Sequence, residues 1–186
     1  MWGRLFARKY ATTTNDIIES FVTHPNWPAV LKFAKESKFE CADDLNDGER
    51  AAKIAALLDI SEHLVSYGGY RAVFSIGGYI VKVPSDPEGF NQNENERYLW
   101  AQKIPAVRKH MVPYVDGDKR CIVLGKAEVF DSEEAMKPYL EQMAAMHVDF
   151  KACGLRLEDC EVDRYDQYGL YEGRLVVLDL GECYFA

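Results

Sequence analysis

Three observations predict an α+β fold. Residues 1–60 carry apolar side chains at helical spacing. From His63 the period changes to two, and the strand-like runs that follow are paired across turns built on glycine or aspartate. The 186 residues make one domain, or one domain with a small extension, and suffice to bury a core. The division drawn from these patterns is an N-terminal helical extension, 1–60, and a domain over 61–186. An apolar fraction of 48% and a charged fraction of 28% match globular chains and argue against disorder. No apolar run reaches the roughly 18 residues of a membrane helix. The opening MWGRLFARKY has neither the apolar run nor the cleavage site of a signal peptide, so a cytoplasmic location is expected.

The helical part comes first. Asn15 or Thr14 can cap a segment whose Ile17, Ile18, Phe21 and Val22 share a face. Asn26 before Trp27-Pro28 starts a second helix with Val30, Leu31, Phe33 and Ala34 on its apolar side. Asp47 precedes a third, in which Ile54, Leu57 and Leu58 recur at helical spacing, and 40–48 reads as a linker. Strands are expected at 63–67, 70–75 and 79–83, the last two joined by Gly77-Gly78, a strong hairpin signal. Residues 84–89 break the pattern, and 91–104 read as a helix closed by Pro105. A second hairpin, 111–115 with 120–124, turns on Asp116-Gly117-Asp118. Ser132 opens a helix to about Ala152, with Met143 and Met146 read as core and His147 as a packed or surface residue. Residues 154–167 look polar and irregular. A short hairpin, 168–171 with 174–178, ends in Asp179-Leu180-Gly181.

Chemistry concentrates in 66–83, SYGGYRAVFSIGGYIVKV. Gly68-Gly69 precede the first run, and Lys82 stands inside the apolar second run, where it must either serve a purpose or snorkel to water. A glycine turn lets backbone N–H groups approach an anion, and a lysine supplies a point charge, as a phosphate-covering flap requires. An ordinary hairpin with an edge lysine uses the same residues. Glu96 shares a helical side with Leu99 and Trp100, so it either meets a cation, with Lys82 the nearest candidate, or faces solvent. Asp179 after four apolar residues sits at a strand end, placed to hold a metal or to cap a turn. The five cysteines (Cys41, Cys121, Cys153, Cys160, Cys183) and four histidines are scattered, so free thiols are expected rather than a zinc site or disulfides. The net charge of −8, dense in 158–182, disfavours nucleic acid and anionic lipid as partners. That acidic stretch is either a solvated face or a divalent-cation site.

Taken in order, glycine turn, hairpin, strand lysine, helix glutamate, second hairpin, long helix, polar loop, short hairpin and Asp-x-Gly, the chain resembles the protein-kinase-like fold. It is most similar to the short kinase-like proteins of bacteria and their phages, over about 64–184. The resemblance implies a small lobe of antiparallel sheet plus one helix, a truncated helical large lobe, and the N-terminal helical extension lying outside the match. It implies ATP and Mg²⁺ as cofactors. Gly68, Gly69 and Ala72 would form the flap, Lys82 would hold the α/β-phosphates, and Glu96 would be its ion-pair partner. Residues 125–130, Glu128 among them, would read adenine through backbone groups. Asp179 would ligate magnesium, with Gln167 in the metal-binding asparagine position. Asp163 or Asp159 would orient the substrate hydroxyl, but no histidine precedes either one, which departs from the family's H-R-D pattern. The activation segment and large-lobe helices do not follow Gly181. The reading is therefore a kinase-like ATP/Mg-binding protein with a degenerate catalytic loop, a minimal or pseudo-kinase acting on a host or partner protein. An active Ser/Thr protein kinase and an α+β interaction domain without nucleotide are the alternatives. Apolar surface left by the short large lobe makes a homodimer or a protein partner an expectation as well, in the host cytosol if the chain is phage-encoded.

Overall fold

Ala72, Phe74 and Ile76 alternate along one strand, and Val81 and Val83 along the next; all five are buried, so one face of their sheet faces a core. The computed structural model describes residues 14–37, 45–157 and 164–185. The fold is α+β, with an antiparallel five-stranded sheet. In chain order its strands are β1 (Leu64–Gly68), β2 (Arg71–Ile76), β3 (Tyr79–Pro84), β4 (Tyr114–Asp118) and β5 (Cys121–Gly125). Across the sheet they run β1-β2-β3-β5-β4. The chain divides into two compact units: residues 1–93 with 115–124, and residues 94–114 with 125–186.

In the first unit the core-facing side of the sheet is covered by helices α1 (Thr14–Val22), α2 (Trp27–Glu36) and α3 (Asp47–Leu57). Ile17, Phe21, Trp27, Val30, Ile54 and Leu58 join Phe74, Ile76, Val81 and Val123 in one cluster. The Phe21 ring stands 6.1 Å from both Trp27 and Phe74, centroid to centroid. The helical spacing read within 14–22, 27–36 and 47–57 is thus borne out, 1–13 and 38–44 lie outside the described residues, and Thr14 and Asn15, read as a cap, fall inside α1. Asn46 caps α3: its side chain accepts from Glu49 N and Glu49 returns a bond to Asn46 N. Asn26 makes no side-chain capping bond; its Nδ2 donates to Leu57 O at 2.8 Å, fastening the start of α2 to the end of α3.

The β2–β3 hairpin turns on Gly77 at φ +60°, as the glycine pair predicts. In the second hairpin only glycine fits at 117, where φ is +126° and a Cβ would lie 2.2 Å from Cys121 O. Helix α4 (Pro87–Ala101) begins four residues before the 91–104 reading and ends three before it. Asp86 and Pro87 start it early, and Lys103, at φ +55°, lies beyond its end.

The second unit is built around α7 (Leu140–Ala152), whose Met143, Met146 and Phe150 are buried with Leu99, Val107, Met111, Leu155, Tyr168 and Leu175. The single helix expected from Ser132 is two: α6 (Glu133–Met136), capped by Ser132 Oγ, then a 3₁₀ turn at Lys137–Tyr139 before α7. Pro138 lacks the N–H a continuous helix needs. A short helix α5 (Pro105–Arg108) precedes the second hairpin. Strands β6 (Glu128–Val129), β8 (Tyr168–Tyr171) and β9 (Arg174–Val177) form a three-stranded sheet in the order β6-β8-β9. Part of the stretch read as irregular is strand β7 (Leu155–Leu157), paired with β10 (Cys183–Phe185). Isolated triplets this short carry no readable alternation; pairing makes them strands. Cys121, Cys153 and Cys183 are free thiols, and Cys41 and Cys160 lie outside the described residues. Among the described residues no helix is long and apolar enough to cross a membrane.

Ile54, fully buried on α3 in the cluster shared with the sheet, tests whether the N-terminal helices and the sheet are one cooperative unit. Ile54→Ala is expected to lower the stability of this unit by about 2–5 kcal/mol, in a single urea transition seen alike by far-UV circular dichroism and tryptophan fluorescence. Two separated transitions would show that the helices unfold apart from the sheet.

Candidate functional site

The glycine turn closes β1 onto β2, with Gly68 paired to Arg71. Neither Gly68 nor Gly69 has positive φ. A Cβ at Gly68 would meet nothing within 4 Å, and one at Gly69 would meet Asp47 Oδ2 at 3.7 Å. Neither strain nor crowding therefore demands glycine here. What the pair provides is open space above backbone N–H groups. The turn's carbonyls, by contrast, are tied down. Arg50 Nη2 donates to Gly69 O at 2.9 Å, and Ser85 N donates to Tyr70 O at 2.8 Å. Gly89, in the first turn of α4, comes so close to Tyr70 that a Cβ would sit 2.2 Å from Tyr70 O.

Lys82 is 4% exposed and is not without a partner, so it does not snorkel. It sits opposite Val73 across the β2–β3 ladder, on the face away from the hydrophobic cluster. Ala72, the residue read as part of the flap, points the other way and is fully buried in that cluster. The side chain on the lysine's face is Val73, because a strand's period of two sends neighbours to opposite sides. Asn93, with no exposed surface, holds this region together. Its Nδ2 donates to Lys82 O (3.4 Å) and Lys119 O (3.3 Å), and its Oδ1 accepts from Arg71 Nη1 (3.2 Å).

Arg50, Arg71, Lys82, Ser85, Asp86, Gln92 and Asn93 are all buried in the first unit, although charged and amide side chains are ordinarily exposed. Arg50 also binds Asp47 Oδ1 and Leu45 O. Burial raises the Asp86 carboxyl above its ordinary value, opposed by the Gly89 N–H that it accepts at 3.1 Å and by the charge of Arg50. Ser85 Oγ is buried with no hydrogen-bond partner among the described residues. Of these residues only Lys82 was singled out from sequence. The others carried no such signal: α4, PEGFNQNENERYLWA, has no apolar stripe, and only the fold shows that Gly89, Asn93, Glu96 and Leu99, at helical steps, are all buried.

The remaining predicted residues belong to the second unit. Glu96 is 5% exposed and is not without a partner, which replaces the solvent-facing reading. Asp179 Oδ1 accepts from Gly181 N at 3.0 Å, so one oxygen shapes the turn, and Asn95 Nδ2 holds Gly181 O at 2.9 Å. Leu178 N donates to Gln167 O at 2.9 Å, which brings Gln167 beside the strand end that carries Asp179. Glu128 is exposed and lies in the two-residue strand β6, paired with Leu170. Asp159 and Asp163 lie outside the described residues. Among the described residues no three His, Cys, Asp or Glu side chains converge as a metal site. Burial pushes the Cys121 thiol far above its usual range, which leaves it inert as a nucleophile. His147 is a packed residue, as expected: its Nε2 lies 2.8 Å from Tyr168 Oη, and burial lowers its pKa. No protein-family model matches the chain, and no curated protein matches it.

Two outcomes follow from the polar cluster. Arg50→Leu is expected to destabilise the first unit by about 3–5 kcal/mol in urea, whereas Lys53→Leu, an exposed position on the same helix, is expected to change it by less than about 1 kcal/mol. The second concerns pH. With its folded pKa raised, Asp86 contributes stability that is present below its unfolded pKa and is lost as pH rises through the folded value. Asp86→Asn removes that titration, so the variant is expected to gain on wild type in urea midpoint as pH rises from about 4 to about 7. A constant difference across that range would contradict the burial effect.

Proposed function

We propose that the chain is a kinase-like protein that binds Mg-ATP and acts, as a minimal or pseudo-kinase, on a partner protein. The observation that carries this reading is Lys82, buried on the face of the sheet away from the hydrophobic core, beside an open glycine turn whose carbonyls are tied down. Burying an ammonium group is expensive unless it is paired and bonded, and a lysine with only an edge-strand role would reach water. An antiparallel sheet followed by a helix that buries a glutamate also supports it.

In this reading the N–H groups of Gly68 and Gly69 and the ammonium of Lys82 receive phosphate oxygens. Val73 lies on the lysine's face, where it can pack against the nucleotide. Arg50, Ser85 and Asn93 keep turn and strand fixed, so binding requires little reordering. Asp179 and Gln167 offer the oxygen ligands that a hard cation prefers. Mg²⁺, when bound, neutralises phosphate charge. Phosphoryl transfer asks a protein mainly for such positioning and charge neutralisation.

Thermal unfolding with and without Mg-ATP tests the reading. At a hundredfold excess over Kd, a ligand specific to the folded state adds about 2.7 kcal/mol, which corresponds to a rise of roughly 5–10 °C for a chain of this size. The rise is expected in wild type, is expected to be largely lost in Lys82→Met, and is expected to depend on Mg²⁺ less in Asp179→Asn. No rise in wild type would overturn nucleotide binding. Transfer of label from ATP to protein in wild type, absent in both variants, would favour an active Ser/Thr kinase over a pseudo-kinase.

A further inference from the structure

The second unit contains a cavity of about 360 Å³ lined by Lys109, His110, Gln142, Gly173, Arg174 and Leu175. Its charge runs against that of the molecule. The chain carries a net −8, yet two fixed cations and an imidazole border this cavity. Among the described residues the one carboxylate bonded to them is Asp149, whose Oδ2 takes both Lys109 Nζ at 2.8 Å and His110 Nε2 at 2.9 Å.

Each donor is positioned by the fold. Arg174 opens β9 after the Glu172-Gly173 turn, and its Nη1 donates to Lys109 O and, at 3.4 Å, to Arg108 O. That anchors one end of the guanidinium, while Nε and Nη2 make no hydrogen bond among the described residues. His110 is held from two sides: its backbone O accepts from Val177 N at 2.9 Å, and its ring packs 5.7 Å from Phe150. The bond to Asp149 assigns the Nε2–H tautomer in the neutral ring. Gln142 adds a neutral amide from α7.

An anchored arginine fork, a lysine point charge and an amide donor around a small cavity form a site for a tetrahedral oxyanion. The volume lies at the lower end of ligand sites, which suits a phosphate with a short carrier. We propose that this cavity binds a phosphomonoester dianion, with Arg174 gripping two oxygens, Lys109 turning from Asp149 to a third, and Gln142 completing the donor set. The inference goes beyond the nucleotide reading and does not rest on it.

The test reads His110 itself. The imidazole resonances of the labelled full chain, assigned with His110→Asn, are followed on adding inorganic phosphate, a phosphoserine peptide or its unphosphorylated counterpart at constant ionic strength. A saturable shift with phosphate or phosphopeptide, and none with the unphosphorylated peptide, is expected. Lys109→Met, an exposed position, and Arg174→Lys, which keeps the charge but removes the fork, are each expected to weaken saturation about tenfold or more. Tighter saturation by the phosphopeptide than by inorganic phosphate supports a phosphomonoester on a protein segment; equal or weaker saturation would overturn the monoester as ligand. A non-saturating drift, or saturation unchanged in both variants with melting curves like wild type, would overturn the proposal.

Discussion

The guanidinium of Arg50 is the constraint on which the first unit depends. From one buried position on α3 it reaches Leu45 O and Asp47 at the start of its own helix and Gly69 O in the glycine turn, and it acts on Asp86 at the head of α4. Those three segments lie about twenty residues apart from one to the next in sequence. A buried cation is tolerated only when its hydrogen bonds are made, so the arginine rewards one arrangement of turn and helices and penalises others. The N-terminal helices thus do more than cover the sheet: through Arg50 they set the geometry of the glycine turn.

A second set of bonds extends the same logic along α4. Asn93 spans Lys82, Lys119 and Arg71, while Asn95 secures Gly181 in the second unit. Neither the lysine strand nor the Asp-x-Gly turn is held by apolar packing alone. Amide side chains on a single helix supply the specific contacts, and such contacts have two possible states, made or unmade.

Much of the fold was legible because it is written in periodicity. Ile17 and Phe21 at helical spacing, Phe74 and Ile76 at alternate positions, and glycine at 77 and 117 each announce one conformation. The misses have physical causes. Pro138 divides a helix whose apolar pattern continues through it. β7 and β10 are too short to show a pattern and exist only as a pair. Within the candidate site, Lys82 stood out because charge interrupts an apolar strand. Asp86 and Asn93 did not, because polar residues in a polar stretch look like solvent-facing ones until burial is known. Ala72 was read as part of the flap from the family resemblance, whereas the strand's alternation turns it into the core and puts Val73 on the lysine's face. The basic cavity of the second unit gathers Lys109, Gln142 and Arg174 from three separate elements, and no local pattern links them.

Two features of the molecule oppose each other electrostatically: an acidic chain, and cationic groups held at chosen places within it. Lys82 is the one on which the nucleotide reading turns. Amide hydrogen exchange of the full chain with and without Mg-ATP, resolved to single residues, tests that reading most directly. Added protection at Gly68, Gly69 and Tyr70, with none at the Gly77-Gly78 turn on the same sheet, is the predicted result. Unchanged exchange at the first turn, or equal protection at both, would contradict it.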